Sequence, residues 1–153
     1  MKGIGVLIVL CCVLAGGFAD DAAREEMYSK LHEMRETFYA PSLTVSPVLQ
    51  EVAQQISDEF AVLGEIAQLT PDRVDFVKLL LKDYYEYETE YVAINQVSEE
   101  SQVSEAFAAM MDDYDARSSL FDRNMAEVGV GLVKEKGEWT VVLAVPAKKA
   151  TQE

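Results

Sequence analysis

Beyond Cys12 the chain has no cysteine; its two, Cys11 and Cys12, both lie in an apolar N-terminal segment. Disulfide staples, thiol nucleophiles and thiolate metal ligands are thereby excluded from everything downstream. Histidine is nearly missing as well, His32 being the only one. A serine–histidine catalytic pair in any recognisable motif and a site of several imidazoles are both out of reach. There is no Asn-x-Ser/Thr acceptor for an N-linked glycan. Basic residues are scarce, with 13 Lys and Arg against 27 Asp and Glu and a formal net charge of −14. A field of that sign repels nucleic acid and anionic membrane surfaces and steers basic partners. Internal repeats, low-complexity tracts and Pro/Gly-rich linkers are also lacking, so one domain is expected.

What is present begins with a leader. Lys2, the apolar run Ile4–Leu14 and the small-residue exit Gly17-Phe18-Ala19 have the build of a secretory signal peptide over residues 1–19. The run is short for a membrane span. Leu10 stands before Cys11 where lipoprotein processing needs a small residue. The expected product is a secreted, extracellular, disulfide-free acidic domain over residues 20–153, with no stable membrane insertion after cleavage.

Apolar periodicity predicts a helix over about 21–38, with Met27, Leu31, Met34 and Phe38 on one face. Ser46-Pro47 and Thr70-Pro71 are N-cap and first-turn pairs that start two more helices. The first carries Val48, Leu49, Val52, Ile56, Phe60 and Leu63; the second carries Val74, Val77, Leu80, Leu81 and Tyr84. Tyr91–Val97 has strand composition, and Ser98 or Ser101 caps a fourth helix with Val103, Ala106, Phe107 and Met110 inward. A polar loop then leads to a hairpin, Glu127–Val133 and Trp139–Val145 around Lys-Glu-Lys-Gly-Glu. Both faces of its first strand are partly apolar, which predicts a central strand covered on both sides. The fold class is α+β, a small antiparallel sheet between helices.

Ser104–Arg117 and Glu127–Gly131 carry a resemblance. Glu105-Ala106-x-x-x-Met110, then Asp113-Tyr114-Asp115-Ala116-Arg117, then Glu-Val-Gly-Val-Gly, is similar to the pattern of the CAP superfamily, also called the SCP domain. That superfamily groups cysteine-rich secretory proteins, antigen 5 and pathogenesis-related proteins. Met110 stands at its tryptophan position, Ala116 at its loop histidine and Arg117 at its arginine. Leu31-His32-Glu33-Met34-Arg35 resembles its Leu-Asn-x-x-Arg, and Pro41–Leu49 its link into the second helix. Glu90 stands where the family has Gly-Glu-Asn, without the glycine or the asparagine. The resemblance implies a three-layer α-β-α sandwich with a central cleft, to which Glu90, Glu105 and Arg117 belong. The family's metal tetrad of two histidines and two glutamates has no counterpart here. The resemblance therefore implies no metal, no cofactor and no catalytic residue.

Two functions follow as expectations. One is a secreted, non-catalytic binding protein for a small apolar ligand such as a sterol or fatty acid, as in some relatives. The other is an extracellular effector or antagonist that binds a basic protein through an acidic, tyrosine-rich surface. Tyr84, Tyr85, Tyr87 and Tyr91, set among Asp83, Glu86, Glu88 and Glu90, are its candidates. Tyrosines in such acidic surroundings are also candidates for sulfation. His32 is read as a half-buried residue that hydrogen-bonds locally, Arg117 and Arg123 as ion-pair partners of nearby acids, and Ser118 and Ser119 as loop residues.

Overall fold

Two hydroxyl–proline pairs set the helical frame. Ser46 Oγ accepts from the Leu49 amide at 3.2 Å, and Thr70 Oγ1 accepts from the Arg73 amide at 3.3 Å. Pro47 and Pro71 follow at the first helical position, where a missing N–H costs nothing. A computed structural model describes residues 2–67 and 70–148, with side chains from Asp20 onward except residues 65 and 66. Its elements are α1 (Lys2–Thr37), β1 (Thr44–Val45), α2 (Pro47–Leu63), α3 (Pro71–Asp83), β2 (Thr89–Val97), α4 (Val103–Asp112), α5 (Tyr114–Phe121), β3 (Glu127–Val133) and β4 (Glu138–Pro146). Short 3-10 turns at Gly64–Ala67 and Lys134–Lys136 follow α2 and β3.

The sheet runs β1-β3-β4-β2 and is antiparallel except for β1, which pairs parallel with β3. Side chains alternate across it. Val128, Val130, Leu132, Trp139, Val141 and Leu143 face α1, α4 and α5, meeting Met27, Leu31, Ala106, Met110 and Leu120. Val92, Val142 and Ala144 face α2 and α3, meeting Leu49, Val52, Ile56, Val77 and Leu81. The architecture is the three-layer α-β-α sandwich, with β3 and β4 at its centre. The indole of Trp139 is wholly buried and donates to the Glu100 carbonyl at 2.8 Å.

On β3 the residues facing α2 are glycines, for a geometric reason. A Cβ on Gly129 would lie 2.1 Å from the Leu49 carbonyl carbon, and one on Gly131 would lie 2.2 Å from that of Ala53. The backbone of α2 rests directly on the strand, closer than any side chain permits.

The outer edge of β3 is closed by side chains. Pairing with β1 ends at Val128. Beyond it, Val130 N–H donates to Tyr28 Oη at 2.9 Å and Val130 C=O accepts from Arg24 Nε at 2.9 Å. Leu132 N–H and C=O both bond the Gln54 amide, at 3.1 and 2.8 Å. Three side chains from α1 and α2 do here what a neighbouring strand would do.

Several sequence expectations are corrected. The first helix does not begin at Asp21; with no breaker before it, the backbone is helical from Lys2. The side chains of the expected leader, Cys11 and Cys12 included, lie outside the described residues. Phe38 leaves the core face, 60% exposed, because α1 stops at Thr37; its ring meets Phe121 edge-on instead. The cap of α4 is Gln102 rather than a serine. The polar loop is helix α5, started by Asp113, whose carboxylate accepts from the Ala116 amide at 2.9 Å. Arg117 and Arg123 bond the carbonyls of Met111 and Tyr39, and neither makes an ion pair among the described residues.

Candidate functional site

The three cleft candidates lie apart. Glu90 is exposed at an irregularity of β2, where the register with β4 shifts between Thr89 and Tyr91. Glu105 is exposed in the first turn of α4. Arg117 lies on α5 with its guanidinium 5.9 Å from the Tyr114 ring centre. No hydrogen bond or ion pair joins the three among the described residues. Ala116 is buried, and beside it Asn95 Nδ2 donates to Ser119 Oγ at 2.8 Å, which donates to the Ala116 carbonyl at 2.9 Å. A β2–α5 polar link thus runs past this position. His32 is not half-buried as expected: the core face of α1 is taken by Met27, Leu31 and Met34, and His32 lies on the exposed side, 4.0 Å from Glu36.

The tyrosine segment is split by the fold. Tyr84 caps α3, 74% exposed, with its ring edge-on to Tyr85. Tyr85 Oη accepts from Gln55 Nε2 at 3.1 Å. Glu86 takes a left-handed backbone, φ 54°, and the Tyr87 amide donates to the Leu81 carbonyl at 2.8 Å. This fold-back turns Tyr87 inward, where its hydroxyl donates to Glu127 Oε2 at 2.8 Å. Tyr91 sits on β2, 52% exposed.

The Tyr87–Glu127 bond lies in a groove of about 780 Å³ between the α3–β2 loop and the ends of β3 and β4. Asp83, Glu86, Glu88 and Glu127 line it, against Lys82 and Lys148. Tyr87 and its acidic neighbours stand out in the sequence; Glu127 does not, because it is distant in the chain and belongs to the strand motif. A smaller groove of about 270 Å³ runs between α1 and β1, lined by Tyr28, Leu31, His32, Leu43, Val45 and Val128 among others. Neither groove is lined by Glu90, Glu105 or Arg117.

Burial pushes the Tyr28 phenol up to about 12, against a bond from the Val130 amide that pulls the other way. Burial, followed by the adjacent Glu127 carboxylate, pushes Tyr87 up as well. Both phenols hold their protons more tightly in the native state than in the unfolded chain. That stabilisation is complete below pH 10, the ordinary phenol value, and is lost as pH rises, through about 12 for Tyr28. Urea midpoints are therefore expected to fall between pH 10 and 12, and Tyr28→Phe is expected to flatten the fall. A midpoint that holds steady over this range would contradict the two half-buried phenols.

Comparison with known proteins places this geometry. The model of the cysteine-rich secretory protein family, CAP, matches residues 29–145. The chain belongs to the CAP family. No curated protein sequence matches it. Among solved structures it is similar to a cysteine-rich secretory protein from Staphylococcus aureus, with TM-score 0.70 at 16% identity, over 82% of this chain and 39% of that one. It is also similar to an extracellular SCP-domain protein from Bacillus anthracis, with TM-score 0.65 at 13% identity, over 82% and 41%. An outer surface protein from Borrelia burgdorferi gives TM-score 0.64 at 13% identity, over 82% and 94%. The chain thus spans about two fifths of the first two proteins and nearly all of the third. These similarities establish the fold.

Within the CAP frame the residues do not fit the family's metal. Ala116 presents a buried methyl at the loop-histidine position, His32 is on another helix, and Glu90 and Glu105 share no partner among the described residues. Among the described residues no three His, Cys, Asp or Glu side chains are placed to hold an ion together. No helix among them is long and apolar enough to cross a membrane.

Proposed function

We propose that this CAP protein is secreted, non-catalytic, and binds a basic segment of a protein partner in the groove beside Tyr87 and Glu127. One observation carries the reading: a groove of about 780 Å³ presents four carboxylates against two ammonium groups, with Tyr84 exposed on the adjoining turn. Carboxylates at a rim speed the approach of a cationic partner, while a half-buried tyrosine–carboxylate pair gives a fixed acceptor for lysine or arginine. The leader expected over residues 1–19 and the extracellular or outer-surface relatives support secretion.

The test is a titration with a Lys/Arg-rich peptide at low and high salt. Affinity is expected to drop roughly tenfold or more between 20 and 300 mM salt, and Glu127→Gln to weaken it further. Binding that ignores both salt and Glu127→Gln would sink the reading.

A second reading rests on the groove between α1 and β1, whose walls are Leu31, Leu43, Val45 and Val128. Its volume of about 270 Å³ suits part of an acyl chain better than a whole sterol. Saturable binding of a fluorescent fatty-acid analogue, lost in Val45→Asp, supports it; no saturable signal removes it.

A further inference from the structure

The two edges of the sheet are treated differently. On the β3 side, Arg24, Tyr28 and Gln54 bond the backbone groups that β1 leaves free. On the β2 side nothing comparable is present among the described residues. The β3–β4 and β2–β4 registers turn the N–H and C=O groups of Tyr91, Ala93, Asn95 and Val97 toward β4. By alternation those of Val92, Ile94 and Gln96 point away from the sheet. Among the described residues no hydrogen bond reaches them from backbone or side chain.

Proteins blunt a free edge with lysine, proline, a bulge or a very short strand. Tyr91–Val97 has no charged residue and no proline, and the irregularity at Glu90 lies just outside it. We propose that this edge pairs antiparallel with β2 of a second copy of the chain, about a two-fold axis at Ile94, to join two four-stranded sheets into one. The sequence suits itself in that register. Tyr91 opposes Val97, an aromatic against a β-branched residue; Val92 opposes Gln96, Ala93 opposes Asn95, and Ile94 meets its own copy. No like charges face each other, which matters for so acidic a protein. A stretch with no charge has nothing by which to select a foreign strand, whereas its near-symmetric pattern fits a copy of itself. The axis stands normal to the sheet, so both copies of α3 lie on one face of the joined sheet. That helix packs on β2 and leaves Phe76 and Leu79 63% and 57% exposed.

The experiment combines sedimentation equilibrium with amide hydrogen exchange on the purified protein across a concentration series. The expected mass doubles with concentration. The amides of Val92, Ile94 and Gln96 slow roughly tenfold or more on dimerisation, while those of Tyr91, Ala93, Asn95 and Val97 do not change. The double variant Tyr91→Lys, Gln96→Lys puts lysine on the edge without entering the core. Its dimer is expected to weaken roughly tenfold or more; Gln96 donates to Glu138 Oε2 at 3.2 Å, a bond that a lysine ammonium can also make, so the monomer stays folded by its melting curve. A protein that stays monomeric to about 1 mM overturns the proposal, since that bounds any affinity as negligible. So does a dimer whose edge amides remain fast, or one that the two lysines leave intact.

Discussion

Gly131→Ala is expected to unfold this domain or leave it barely folded, although it adds a single methyl group. The atoms a new Cβ would meet are the Ala53 carbonyl carbon and oxygen and the Gln54 amide nitrogen, at 2.2 to 2.3 Å. They belong to the backbone of α2, so no side chain can swing aside. Relief requires α2 to lift off the sheet. That separates Leu49, Val52 and Ile56 from Val142 and Ala144 and breaks both Gln54 bonds to Leu132. Overpacking costs about 1–3 kcal/mol where side chains can adjust and more where they cannot. A loss of about 3 kcal/mol or more is expected, with Gly129→Ala similar and the double variant failing to fold. Urea unfolding of the single variants measures it. A loss under about 1 kcal/mol would mean that α2 and β3 are not in backbone contact.

Arg35→Met is the second large effect. Arg35 is 1% exposed and has no carboxylate partner among the described residues. Its Nε donates to the Pro41 carbonyl at 2.8 Å, and its Nη1 to those of Leu120 and Asp122 at 2.9 and 3.0 Å. Nη2 reaches Met125 at 3.4 Å. One guanidinium thus ties the end of α1 to the chain entering β1 and to the α5–β3 turn. Burial draws its proton affinity below the ordinary value, an effect that Asp122 opposes and Arg123 reinforces. Guanidinium nonetheless stays charged in proteins, so the carbonyls face a fixed cation. Methionine fills the volume but leaves those carbonyls unpaired, at an expected loss of about 3–5 kcal/mol. Arg35→Lys is expected to recover little, because one ammonium cannot span carbonyls set in different directions. Full recovery by lysine, read from thermal melts, would show that charge alone suffices.

The helices begun by Ser46-Pro47 and Thr70-Pro71 and the hairpin were legible because their signals are local. Gly129 and Gly131 were legible as strand residues, but not the reason for them, which is a helix some eighty residues earlier in the chain. Arg24 and Arg35 were invisible as interior residues, since arginine reads as surface unless its carbonyl partners are known. Helix α5 is short and polar and sits between flanking aspartates, which hid it, and only Asp113's contact with the Ala116 amide reveals the cap. The candidate site was half legible. The acidic tyrosine run named Tyr87 and its neighbours, but their joining to Glu127 depends on the left-handed turn at Glu86 and on which strand ends beside it.

The central claim is that this CAP domain, lacking the family's histidine pair, works by binding at the Tyr87–Glu127 groove. Amide chemical-shift mapping with a Lys/Arg-rich peptide tests it most directly. The account predicts salt-sensitive shifts centred on Lys82, Asp83, Glu86, Tyr87, Glu88, Glu127 and Lys148. Shifts confined to Glu90, Glu105 and Arg117, or to the α1–β1 groove, would contradict it.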